Sequence, residues 1–224
     1  CIRDSKKYKE KFIGDREFYA NLIRLIIPMI VQQGITSFVS LLDNVMVGRL
    51  GTESMSGVAI VNQLLFVFNL TIFGGLAGAS IFGAQFYGRG DMEGMRHTFR
   101  FKLLVALAIT AAAIGLFLAA GPSLIGAYIA ADTSPADAAA TLQYAEGYLR
   151  IMLIGLVPFG LTQCYAGTLR ESGQTVLPMK ASMLAMVVNF IFNALLIFGI
   201  GPFPRMGVAG AAIALSLIHI SEPT

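Results

Sequence analysis

A chain of 224 residues that is 56% hydrophobic and 13% charged, with a mean hydropathy of +0.72, is too apolar for an ordinary soluble domain. Its net charge of +3 comes from basic residues that flank apolar runs without interleaved aromatics, which argues against a nucleic-acid partner. Its two cysteines, Cys1 and Cys164, support neither a disulfide framework nor a metal-ligand spacing, and Cys164 reads as a small core residue.

Six uncharged, strongly apolar stretches follow one another at 25–42, 54–87, 103–131, 151–169, 181–204 and 206–221. Most reach the roughly 20 residues that a helix needs to cross a bilayer core. No segment alternates apolar and polar residues as a closed barrel requires. The expected fold is all-α, a polytopic transmembrane bundle with spans near 18–47, 54–87, 97–130, 141–169, 178–200 and 206–220.

Residues 1–17 read as a cytoplasmic leader. Arg3, Lys6, Lys7, Lys9, Lys11, Arg16 and Arg24 precede or open the first span; Arg89, Arg96, Arg100 and Lys102 lie between the second and third, and Arg170 and Lys180 between the fourth and fifth. Only Arg49, Arg150 and Arg205 fall on the opposite side, so the positive-inside rule puts the amino terminus in the cytoplasm, with the leader against anionic lipid. The first apolar run is too long for a signal peptide, and no small-residue cleavage site follows it.

Within the first span, Pro28 frees a backbone carbonyl and permits a kink. Gln32 and Gln33 are amides that lipid would not tolerate, so one face of this helix points into protein or water. Asp43, the one acid expected at membrane depth, is a functional-site hypothesis by default because dehydrating a carboxylate is costly. Arg49-Leu50-Gly51-Thr52 and Glu53 mark a short outer turn.

In the second span, Gly74 and Gly78, and Gly75, Ala79 and Gly83, recur at four-residue spacing, the pattern of close helix packing in lipid. A hinge is the alternative there. These glycines lie mid-helix, so they do not form a phosphate-cradling loop. Asn69-Leu70-Thr71 spells a glycosylation acceptor, but at membrane depth it is out of reach.

Gly88-Arg89-Gly90-Asp91 opens an inner loop, and His97 beyond it reads as an interfacial polar residue. Ser134-Pro135-Ala136-Asp137 should start the fourth helix, and Pro178 fits the first turn of the fifth. Asn189 and Asn193 share a face of that fifth helix. Their amides could coordinate a hard cation or hydrogen-bond a protonated acid beside a carboxylate, or simply join neighbouring helices. Gly199-Ile200-Gly201-Pro202 ends the span. The sixth stretch is short for a span, so the natural protein is expected to continue. Residues 215–224, which include His219, read either as translated adaptor sequence or as a genuine truncated helix.

Several segments together resemble the multidrug and toxic compound extrusion (MATE) transporters: residues 28–51, especially Leu42-Asp43-Asn44-Val45-Met46-Val47-Gly48-Arg49-Leu50-Gly51; the loop 169–175 with Pro178; Asn189-Phe190-Ile191-Phe192-Asn193 with 196–199; and 207–214. The resemblance runs over about residues 18–214. It implies an antiporter of two six-helix lobes that exports organic, often cationic, compounds in exchange for H+ or Na+. This chain would be the first lobe, with the sixth helix truncated and the second lobe and the bilayer as its partners. The implied location is the inner (plasma) membrane.

By the same resemblance, Asp43 is the coupling-ion site with Asn189 and Asn193, and Pro28 is the hinge. Gln32, Gln33, Tyr148 and Gln163 belong to the substrate cavity or its polar network. H+ or Na+ takes the place of a cofactor, with Na+ at Asp43 as the metal candidate; neutralising Asp43 would bend the first helix at Pro28 and displace substrate. Two departures stand out. Asn193 occupies a position where some members carry a second acid, which weakens the Na+ assignment, and Leu215 one where threonine is frequent.

Three other readings compete. A lipid-linked oligosaccharide flippase or polysaccharide exporter would share the helical plan but tend to a more cationic cavity, whereas no Lys or Arg is expected mid-span. An intramembrane enzyme would need paired aspartates, a Ser/His arrangement or a His-rich metal motif. A purely structural bundle would have no need of a buried Asp43.

Overall fold

A computed structural model of the chain describes residues 15–130, 133–200 and 204–221, without the side chains of 217–221. Most of the expected leader, Gly201-Pro202 in the fifth-helix terminator, the side chain of His219 and the end of the doubtful tail therefore lie outside the described residues. Among the described residues, six helices follow in chain order: α1 (Arg16–Gly48), α2 (Thr52–Gly88), α3 (Met92–Tyr128), α4 (Pro135–Glu171), α5 (Val176–Phe198) and α6 (Val208–Ser221). No strand occurs among the described residues, and α1 to α5 are each long and apolar enough to cross a membrane.

Short polar punctuation sets the helix limits. The Asp15 carboxylate accepts from the Phe18 N–H at 2.7 Å, Asp91 from Gly94 at 2.9 Å, and Ser134 Oγ from Asp137 at 3.2 Å, each satisfying a first-turn donor that the helix leaves unpaired. Pro135 sits just inside α4, where its missing N–H costs nothing. Gly199 stops α5 with φ +70°, a left-handed conformation that glycine adopts without a Cβ penalty. The short connections make the helices alternate in direction. One end of the bundle carries the turn at Gly51, and the other the turns at Gly90 and Gly173.

The centre of the bundle is α2, α3 and α4, with Val61, Ile72, Ile125, Ala145 and Met152 almost fully buried between them. α3 packs chiefly on α2 and α4, whereas α1 lies mainly along α5, and α6 closes against α4 and α5. Large apolar side chains such as Leu118, Leu104 and Ile154 point outward, at 67%, 68% and 69% exposure. In water such a surface would aggregate; against lipid tails it carries no such penalty.

The two glycine rows in α2 behave differently. A Cβ at Gly75 would meet Ile109 and Val105 of α3, and one at Gly83 would run into Glu171 of α4, so this row is a packing face. Gly74 and Gly78 face nothing within 4 Å, and the closeness expected of them is not found within this chain. Close approaches between helix backbones lie elsewhere. A Cβ at Gly57 would sit 2.9 Å from the Thr141 carbonyl oxygen, and one at Gly210 2.7 Å from that of Leu196.

A second expectation is corrected as well. Lys102 and Glu171, read as loop-flanking charges, are side chains only 1% and 7% exposed, more deeply buried than Asp43, which is only partly buried. The Lys102 ammonium donates to both Glu171 oxygens, at 2.7 and 2.8 Å, and to Thr168 Oγ1 at 2.7 Å. Burial is tolerated because each charge supplies the other's partner.

Candidate functional site

The first candidate site is built on one seam between α1 and α5. Asn193 Nδ2 donates to Asp43 Oδ1 at 2.6 Å and to Asn189 Oδ1 at 3.2 Å. Toward the Gly173 end, Gln32 Nε2 donates to Ser182 Oγ at 2.7 Å, and Thr36 Oγ1 meets Met186 Sδ at 3.9 Å while bonding its own helix at Gln32 O. Gln32, Thr36 and Asp43 fall on one helical stripe, as do Ser182, Met186, Asn189 and Asn193, so two parallel helices meet along polar faces.

Asn189 and Asn193 are 0% and 1% exposed, and Asn189 Nδ2 and Asn193 Oδ1 have no hydrogen-bond partner among the described residues. A buried amide oxygen left unsatisfied is costly, so Asn193 Oδ1 is an acceptor open to a protonated acid or a cation. The donor set is a carboxylate and two amide oxygens. Hard, weakly polarisable oxygens of this kind suit H+ on the carboxylate or a small hard cation among them. Among the described residues, no cluster of three His, Cys, Asp or Glu that could hold a metal ion occurs.

Not all the expected site residues join this seam. Gln33 turns away from its neighbour Gln32 and lines a cavity of about 770 Å³ between α1, α2 and α4, together with Asn69 and Gln163. Tyr148 is buried, donates to Asn62 Oδ1 at 3.4 Å, and borders a separate cavity of about 500 Å³ at the Gly51 end. Tyr148 and Gln163 lie about four turns apart along α4 and line different cavities. Pro28 lies inside α1, whose helix continues through it.

Sequence reasoning missed several participants. Ser37, Ser40 and Asn44 line a groove along α1 with Gln33, and their helical spacing from Gln33 was the signal available. Asn69 was set aside as an unusable glycosylation acceptor. Asn62, Ser182 and the Lys102–Glu171 pair carry no local signal, because their partners come from distant helices.

Comparisons with known proteins agree with this architecture. The family model described as MatE matches residues 28–195. A probable multidrug resistance protein NorM of Thermotoga maritima is 27% identical over 201 residues, which cover 90% of this chain and 42% of that protein. An FAD transporter of Shewanella oneidensis is 30% identical over 178 residues, covering 78% of this chain and 37% of that protein. The crystal structure of a MATE protein in the straight conformation superposes with a TM-score of 0.78 at 25% identity, over 89% of this chain and 42% of that one. The chain therefore spans less than half the length of the curated relatives it matches.

Proposed function

This chain belongs to the MatE family, and from that premise we propose that it is the first lobe of a secondary antiporter that exports organic compounds in exchange for H+ or Na+. The observation that carries the proposal is the Asp43–Asn193–Asn189 cluster, in which the buried amide oxygen Asn193 Oδ1 stands unpaired beside the Asp43 carboxylate. The lobe sits in the plasma membrane with its amino terminus in the cytoplasm, so the Gly51 end faces outward.

The coupling follows from desolvation. An anionic Asp43 away from water is disfavoured, and a proton or cation restores balance. Ion and substrate then favour different arrangements of the lobe and compete through one conformational equilibrium, with Pro28 as the bending point of α1. The exporter of lipid-linked sugars fits less well, since Arg170 is the one cation among the described lining residues of the large cavity and the buried Lys102 is matched by Glu171. Transport, and not catalysis, is the activity assigned.

Vesicles containing the full-length transporter, loaded with a fluorescent organic compound, test this under separate H+ and Na+ gradients. Export should follow one of the gradients. Export that depends on neither would refute antiport.

A further inference from the structure

The cavity of about 770 Å³ between α1, α2 and α4 is of a size that suits a drug-like molecule. Its wall is aromatic: Phe66 and Phe73 of α2 are exposed, and Phe159 of α4 is set by a ring contact with Phe68 at 6.0 Å. Three amides, Gln33, Asn69 and Gln163, reach it from three different helices. Flat aromatic surfaces recognise planar rings, and amides offer both donors and acceptors to uncharged polar groups.

The charges around this cavity are arranged in an unexpected way. Glu171 is the one acid among its described lining residues, yet both its oxygens accept from Lys102, whose side chain is 1% exposed and does not line the cavity. A cationic ligand could claim Glu171 only by stranding that buried ammonium. Arg170 stands on the same rim and adds no attraction for a cation. Asp43 does not line the cavity at all, so the acid of the ion site does not supply the missing negative charge.

We propose that this cavity is a binding site for planar, uncharged amphiphiles in preference to permanent cations, and that Lys102 sets the preference by neutralising Glu171. The inference rests on the transporter reading above and narrows its substrate class. Lys102 acts here through Glu171, as a positioning residue that does not itself touch the ligand.

Two dyes sharing one planar ring system, one neutral and one bearing a quaternary ammonium, serve as probes. Each is measured for binding to the purified full-length transporter and for export from vesicles. The neutral dye should bind at least as tightly as the cation. Gln163→Leu should weaken neutral-dye binding by about tenfold, the size expected for one lost hydrogen bond. Lys102→Met should shift the binding ratio toward the cation by about tenfold or more, since it uncovers Glu171. The double variant Lys102→Met/Glu171→Gln leaves no stranded charge and should keep the ratio of the unmodified protein even if the single variant fails to fold. A native preference for the cation above about tenfold that the double variant erases would overturn the proposal, as would an unchanged ratio in a folded Lys102→Met variant. Binding in the expected order without gradient-driven export would refute the transport reading alone; export without these binding effects would refute the cavity assignment alone.

Discussion

Asp43 and Asn193 are joined by a hydrogen bond of 2.6 Å, across the same 150-residue offset that pairs Gln32 with Ser182 and Thr36 with Met186. A constant offset means that α1 and α5 run parallel with a fixed register along most of their shared length. The polar contacts hold α1 to α5, while its packing on α2 is slighter. The Asp43 cluster thus lies within one helix pair, and the large cavity between α1 of that pair and α2 and α4 of the core. On the antiport reading proposed above, an ion at Asp43 would influence the cavity by moving α1, without ion and ligand sharing a residue of the Asp43 cluster.

Asp43→Asn keeps a side chain that can hydrogen-bond Asn193 but removes the titratable, cation-binding group. In the full-length transporter, gradient-driven export should fall by at least about tenfold while the protein still folds. Initial export rates and thermal unfolding of the purified protein check the two halves of this expectation. A variant with undiminished coupled export would show that Asp43 is not the coupling group.

Asn193→Asp places a second carboxylate beside the first. Two close acids cannot both ionise without a cation between them, so Na+ should stabilise this variant more than the unmodified protein. The measurement is the rise in unfolding temperature between Na+-free and Na+-containing buffer. Asn193→Leu, by contrast, strands the Asp43 oxygen and should cost about 1–3 kcal/mol of stability.

Removing one member of the Lys102–Glu171 pair should be far worse than removing both. Lys102→Met or Glu171→Met alone leaves a charge buried without its partner, at a cost of about 3–5 kcal/mol. The double replacement should cost much less than the sum, and a double-mutant cycle on unfolding free energies reads the difference.

Glycine substitutions should separate packing from permissiveness. Gly57→Ala and Gly210→Ala press a Cβ against backbone carbonyls of a neighbouring helix and should lower stability by about 1–3 kcal/mol. Gly74→Ala meets nothing and should be neutral or stabilising by up to about 1 kcal/mol, because alanine is the better helix former. Equal losses at Gly57 and Gly74 in the full-length protein would mean that the Gly74 row packs on a surface this chain does not contain.

The sequence by itself determined that the chain is an all-helical bundle of membrane-crossing segments, because apolar length and charge-free runs are local properties that the bilayer reads directly. It also marked Asp43, Gln32, Gln33, Asn189 and Asn193, since a polar group in a long apolar run stands out without knowledge of its neighbours. Only the tertiary structure decided which of these meet. It brought Asp43 to Asn193 and Gln32 to Ser182 across 150 residues, sent Gln33 and Gln163 to a different cavity, and left Tyr148 at a third place beside Asn62. Lys102 and Glu171 looked like ordinary flanking charges because what removes them from water is mutual pairing between α3 and α4, and no single stretch of sequence contains both partners.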